Sequence, residues 1–403
     1  MRKIEILDCT LRDGGYVNDN EFGYDNIKQL IKYLEEAKIE LIECGYLMDT
    51  KEEYSVDRTE YRRMEELEEQ NLITNTEENQ YTLMLLGEKY NIENLPLCSN
   101  SDNILRMSFH KKSLPKAVEY PKEIRKRGYP LFLQPTVILG YTEEEIREMI
   151  RICNEELDLE GLAIVDTFGQ MTPQDVIYLS KLFDENLKAE TKLAFHVHNN
   201  LQMAFANALA FIENTSEDRN IVIDSSIYGM GRGAGNLPTE LIANYLNEKE
   251  GKNYSLSPLL EASDNILEKI KSENPWGYSL PYYLSAIYAC HPSYILYLLN
   301  KRMLNSSDIH KVVQMISEQK KTEYDSAYIE ELYQIYNDHT YLDDASYERL
   351  SDLVKEKEVI LIGPGKSIIT YQEQLDNYID NSNCFVITIN NPNLLIFEKC
   401  IND

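Results

Sequence analysis

The sequence predicts an α/β fold, a (β/α)8 TIM barrel followed by a helical region and a short C-terminal βαβ segment. Three observations lead there. From residue 4 to about 249, short β-rich apolar runs alternate with longer amphipathic segments, as in repeated βα units around a parallel sheet. Eight such runs fit into that stretch, which is the usual length of such a barrel. After about 250 the alternation stops. The boundaries therefore read 1–250 for the barrel, 251–357 for a helical region expected to pack on it, and 358–403 for a partial Rossmann-like segment. A doubly wound open sheet is the runner-up.

The strand candidates are 4–10, 41–46, 81–86, 104–109, 131–137, 161–167, 192–198 and 221–229, each rich in β-branched or aromatic residues. Most are followed by a helical pattern, and two of those helices open on clear capping signals. Thr142 stands three residues before Glu145, and Thr172 precedes Pro173 at a first helical position. The acidic stretch at 60–78 reads as a solvated helix face followed by a loop. The segment to about 355 is rich in Tyr and Leu and mostly helical in pattern. From 358 the order is strand, glycine turn, helix, strand. One βαβ unit is too small to bury a core alone.

Charge narrows the partners. With 40 Lys plus Arg against 68 Asp plus Glu, the net charge of -28 repels phosphate backbones and anionic lipid, so no nucleic-acid or membrane partner is expected. No run reaches the roughly 18 apolar residues of a membrane span, and the opening MRKIEILDCT carries no cleavable leader pattern, so a cytoplasmic protein is expected. Seven cysteines without a CxxC pair read as reduced thiols. A homo-oligomer is also expected.

In a barrel the reactive groups gather at the C-terminal ends of the strands. The first candidate strand ends in Asp8, Thr10, Arg12 and Asp13. The seventh ends in His196-Val197-His198, whose alternation sends both imidazoles to one side. The eighth runs into YGMGRGAGN, a loop of four glycines ending at Asn236. Barrel closure makes these strands neighbours. Two neutral nitrogens, a carboxylate and an amide oxygen suit Mg²⁺ or Mn²⁺, and Zn²⁺ less typically; an iron oxygenase uses a similar set. Two histidines satisfied by hydrogen bonds are the structural alternative.

DCTLRDG, DTFGQMTP, HVHNN and GMGRGAGN, in that order on those strands, resemble the DRE-TIM metallolyases, among them 4-hydroxy-2-oxovalerate aldolases, HMG-CoA lyases and isopropylmalate synthases. The resemblance covers about residues 1–290. It implies a divalent metal on Asp13, His196 and His198, with Asn236 as a fourth ligand in some members. It further implies Arg12 on the enolate oxygen, Thr167 on the substrate carboxylate, and Gly231 and Gly233 in the substrate-binding loop. The activity it implies is a carbon–carbon lyase taking a 4-hydroxy-2-oxo acid to pyruvate and an aldehyde, or the reverse condensation. Such a bond is made or broken through an enolate, whose charge a divalent ion and a guanidinium stabilise.

The chain departs from these relatives at the base. Where the aldolases place a histidine it has Tyr16, and a phenol with an ordinary pKa near 10 is a poor base at neutral pH. The CoA lyases use a cysteine in the loop after the eighth strand, and residues 229–236 contain none. Glu43 occupies a strand end where relatives are acidic, with a direct or a supporting role. Tyr282 aligns approximately with a tyrosine that reaches the aldolase site. Cys9 and Cys44 read as buried barrel thiols, His291 as a core or cap residue, and His110, His310 and His339 as members of no constellation. GPGKS at 363–367 is not a phosphate loop, because GxxxxGK[ST] needs glycine at 360 and the chain has Ile360. The alternatives are a Claisen-type acyl-CoA synthase, or a metal-binding scaffold whose C-terminus recruits a partner enzyme.

Overall fold

The protein is represented by a computed structural model that describes residues 2–49, 55–73, 79–87, 90–98, 103–111, 116–301, 304–340, 344–363 and 367–388. Strands are β1 (Ile4–Asp8), β2 (Leu41–Leu47), β3 (Glu60–Tyr61), β4 (Gln80–Leu86), β5 (Ile104–Phe109), β6 (Leu131–Pro135), β7 (Gly161–Asp166), β8 (Lys192–Val197), β9 (Ile221–Ser225), β10 (Glu358–Ile362) and β11 (Cys384–Thr388). The order β1-β9-β8-β7-β6-β5-β4-β2 closes on itself through a parallel β1–β2 pairing, so eight strands form the barrel. The open doubly wound sheet is excluded by that closure. β3 was not foreseen. It pairs with the end of β2 inside the acidic stretch, whose described residues contain one helical turn, Glu66–Glu69, and its Glu66 is buried and held by Arg62.

Both predicted helix starts are capping boxes, Thr142 with Glu145 and Thr172 with Asp175. Alternation along the strands sorts the side chains. On β8, Leu193, Phe195 and Val197 pack outward into the main hydrophobic cluster, while Ala194 lies with the residues that fill the barrel. The interior is layered. Leu7, Leu41, Ile104, Phe132, Ala163, Ala194 and Val222 make an apolar plug. One inward step higher on four of those strands stand Glu43, Arg106, His196 and Asp224, all buried. At β2 the register slips between Glu43 and Gly45. Gly45 has φ +147°, and an added Cβ would lie 2.1 Å from the carbonyl oxygen of Thr59, so the β3 segment packs here only against glycine.

Backbone contacts divide the chain into two units, Met1–Glu330 and Glu331–Asp403. The first adds helices Leu280–Ile287, Pro292–Leu299 and Ser306–Gln314 to the barrel. The second contains β10 and β11, paired in parallel and joined through helices Ser367–Thr370 and Gln372–Asn381, the βαβ order expected. Pro364, Gly365 and Lys366 of the glycine turn lie outside the described residues. No helix among the described residues is long and apolar enough to cross a membrane.

Candidate active site

The loop after β1 turns tightly, with the N–H groups of Arg12, Asp13 and Gly14 all bonded to the carbonyl of Cys9, which lifts Arg12 and Asp13 over the barrel mouth. The turn is tied down by Asp8, which accepts from the Thr10 N–H (2.9 Å) and the Thr239 hydroxyl (2.6 Å). Burial pushes the Asp8 carboxyl up to about 6 against those two bonds.

Asp13, His196 and His198 each offer a ligand atom, and these atoms lie within 4.8 Å of one another. His196 Nε2 is 4.0 Å from one Asp13 oxygen and His198 Nδ1 is 3.9 Å from the other. His196 uses its remaining nitrogen on Asp224, 3.0 Å away. His198 Nδ1 and Asn236 Oδ1 are buried and have no hydrogen-bond partner among the described residues, while the Asn236 amide donates to Asp13 at 2.8 Å. Buried polar atoms are seldom left so. Two orphaned acceptors beside a carboxylate and a second imidazole are the donor set of a divalent cation, and these residues fit one. Protonation agrees. Burial drops His198 to about 4, leaving its lone pair available at neutral pH. Burial alone would raise Asp13, but Arg12 and the two imidazoles hold its carboxyl well below the usual range.

Beneath this cluster runs a closed ring of charge. Asp13 bonds Arg12 at 2.6 Å, Arg12 Nε bonds Glu43 at 2.6 Å, Glu43 pairs with Arg106 at 3.0 Å, and Arg106 donates to Asp224, which returns to His196. Glu43 and Arg106 are fully buried. Glu43 is therefore not a wall residue of the cavity but the group that fixes Arg12, with Arg106 filling the space between it and Asp224.

Above the ring is a cavity of about 290 Å³, lined by Arg12, Asp13, Tyr16, Tyr46, Thr167, His196 and His198 among others. The Thr167 hydroxyl accepts from the Val137 N–H at 2.7 Å, so its own proton remains for a ligand. Tyr16 is 42% exposed and packs edge-on against Tyr46. Three expectations need correction. Gly231 and Gly233 do not line the cavity. A Cβ on Gly231 would meet the Asn236 amide at 2.5 Å, so this glycine makes room for Asn236, and it is Arg232 between the two glycines that reaches the cavity. Tyr282 packs against Gly233 rather than lining the wall. His110 and His291 do line it, although His291 also caps helix Pro292–Leu299. Cys9 and Cys44 are buried free thiols, pushed up by burial and away from thiolate character.

Asp166, at the end of β7, accepts from the N–H groups of Gln170 (2.9 Å) and Met171 (3.1 Å), yet burial pushes its carboxyl up to about 7. The folded state thus favours protonated Asp166. Its contribution to stability is full below the ordinary value of 3.8 and is lost as pH rises through about 7. Asp166→Asn should flatten the fall in Tm of metal-free protein between about pH 4 and 7. An unchanged slope would rule the assignment out.

The HMGL-like family model matches residues 3–266. Among curated proteins, a 4-hydroxy-2-oxovalerate aldolase from Geobacillus genomosp. 3 is 26% identical over 275 residues, covering 66% of this chain and 77% of the relative. Another from Thermomicrobium roseum is 26% identical over 275 residues, covering 67% and 74%. Among solved structures, the N-terminal domain of a Bacteroides vulgatus protein superposes with TM-score 0.62 at 24% identity, over 74% of this chain and all of that one. The HMG-CoA lyase from Brucella melitensis superposes with TM-score 0.51 at 16% identity, over 68% and 100%. At those identities the structures speak to the fold alone.

Proposed function

The chain belongs to the HMGL-like family of the DRE-TIM metallolyases, and from that premise we propose a carbon–carbon lyase that converts a 4-hydroxy-2-oxo acid to pyruvate and an aldehyde, or condenses the two. The observation that carries the reading is the convergence of Asp13, His196 and His198 beside Arg12, with two orphaned acceptors left at His198 and Asn236. These four residues would hold a divalent cation, Mn²⁺ or Mg²⁺ before Zn²⁺, which supplies Lewis-acid polarisation of the 2-oxo group.

The chain's own residues do the rest. Arg12 has Nε on Glu43 and one terminal nitrogen on Asp13, so the guanidinium is fixed in place at the cavity floor. It stabilises the negative charge that grows on the carbonyl oxygen as the bond breaks, without reorganising. The Thr167 hydroxyl donates to the substrate carboxylate. Tyr16, exposed at the mouth, relays the C4 hydroxyl proton, taking it on the phenol oxygen as its own O–H proton passes to solvent, so no free phenolate is required, and Tyr16→Phe should lower kcat by about 10²-fold or more. The methyl protons of pyruvate should exchange in deuterated water with Mn²⁺ or Mg²⁺ present and no aldehyde. Absence of exchange would remove the aldolase reading.

Arg12→Lys should reduce kcat by about 10²–10³-fold while changing metal affinity far less, because an ammonium cannot span Glu43, Asp13 and the substrate oxygen together. Equal losses in the two quantities would count against charge stabilisation as its role.

A further inference from the structure

The cavity extends beyond the groups that hold the pyruvate half. Its remaining wall includes Ser108, Gln134, Thr136, Arg232, His291 and Thr322, and among the described lining residues the only carboxylate is Asp13, which belongs to the Asp13–His196–His198 cluster. Arg232 is unusual in a chain with a net charge of -28. Elsewhere the half-buried Arg58 meets Glu60 and the buried Arg219 meets Asp184. Arg232 has no carboxylate partner among the described residues. Its guanidinium lies instead over the Tyr16 ring, 4.7 Å from the centroid, which holds the group by its face and leaves the N–H fork at the edge open. Arg232 lines the same cavity as His198 and His291, close enough for its charge to bear on both rings.

His291 supplies a second donor. Its Nδ1 accepts the backbone N–H of Ser293 at 3.2 Å, which assigns the ring proton to Nε2. Burial, then the nearby Arg232, pushes the ring down to about 3, so it is a neutral donor at working pH and not a base.

We propose that the aldehyde half of the substrate ends in an anionic group, a carboxylate or a phosphate, bound by the guanidinium of Arg232 and the Nε2–H of His291. This deepens the aldolase reading above and rests on it for the reaction. The physical reason is the cost of the alternative. An alkyl aldehyde would cover a guanidinium edge and an imidazole N–H and leave both without acceptors, and a site built to hydrogen-bond its ligand rejects analogues that cannot.

The test condenses pyruvate with acceptors of similar size by metal-loaded enzyme: glyoxylate and succinic semialdehyde for carboxylate, glycolaldehyde phosphate for phosphate, and acetaldehyde, propionaldehyde and glycolaldehyde as neutral aldehydes. One anionic class should exceed the neutral aldehydes in kcat/KM by at least about 30-fold, and which class does so identifies the group. Arg232→Gln should cut that ratio to a few-fold, mainly through KM, and Arg232→Lys should restore part of it. Equal use of neutral aldehydes, or a preference unchanged in Arg232→Gln, overturns the proposal. Calorimetric titration with 2-phosphoglycolate and with succinate gives a readout apart from turnover: binding of one should weaken at least about tenfold in Arg232→Gln. Pyruvate exchange separates the two readings. If exchange is absent the aldolase assignment falls, while loss of anion binding in Arg232→Gln still supports the anion site and its persistence still overturns it.

Discussion

His198→Ala should strip the protein of about one tightly bound divalent ion per chain and abolish pyruvate exchange, while leaving the barrel folded. The expectation comes from what each histidine is attached to. His196 is bonded through Nδ1 to Asp224, so its removal also loosens the charged ring. His198 Nδ1 has no hydrogen-bond partner among the described residues, so truncation deletes a ligand and little else. Loss of a direct ligand should weaken metal binding by more than the roughly 10–100-fold typical of an outer-sphere partner. Elemental analysis of dialysed protein, with circular dichroism to confirm the fold, decides it. Metal content equal to wild type would remove the site.

The second large effect is expected where no ligand touches. Arg106→Met should destabilise the protein by about 3–5 kcal/mol, because it leaves Glu43 and Asp224 buried without the cation between them. Denaturant unfolding of metal-free protein measures this directly. Adding Asp224→Asn to the same variant should recover part of the loss, since one uncompensated charge is then gone while an acceptor for His196 remains. A single variant as stable as wild type would show that the ring is not a structural unit.

Arg106 and Asp224 also mark where the sequence stopped being readable. Each is a single charged residue inside an apolar run, ILRMSF and IVIDSS, with no motif around it, and 118 positions separate them. Only barrel closure brings β5, β9 and β2 round one axis, so nothing local signalled the pair. The metal triad was legible for the opposite reason. An HxH spacing on a strand fixes two imidazoles on one side before any tertiary contact is known, and strand order then supplies Asp13 and Asn236. The glycine loop drew attention to its glycines because they are conspicuous, whereas the residue of that loop that lines the cavity is Arg232 between them. Of the two roles open to Glu43 the structure favours the supporting one, because Arg12 and Arg106 cover it, whereas Tyr282 was expected at the site and packs on Gly233 instead. His291 read as a cap, which it is; that one imidazole can both cap a helix and face a cavity is visible only once the helices fold back over the mouth.

The floor and the walls of this cavity are held by different parts of the chain, and they would diverge at different speeds. Asp13, Arg12, Glu43, Arg106, Asp224 and His196 each answer to two neighbours, so a change at any one of them must be matched at another. Gln134, Arg232, His291 and Thr322 come from separate strand ends, loops and helices and do not depend on that circuit. A lineage can therefore change the rim by single exchanges while the floor is handed down unchanged; on the function proposed above, that trades one acceptor for another and keeps the pyruvate half. For the same reason, libraries aimed at new acceptors belong at those four positions and should leave the circuit untouched.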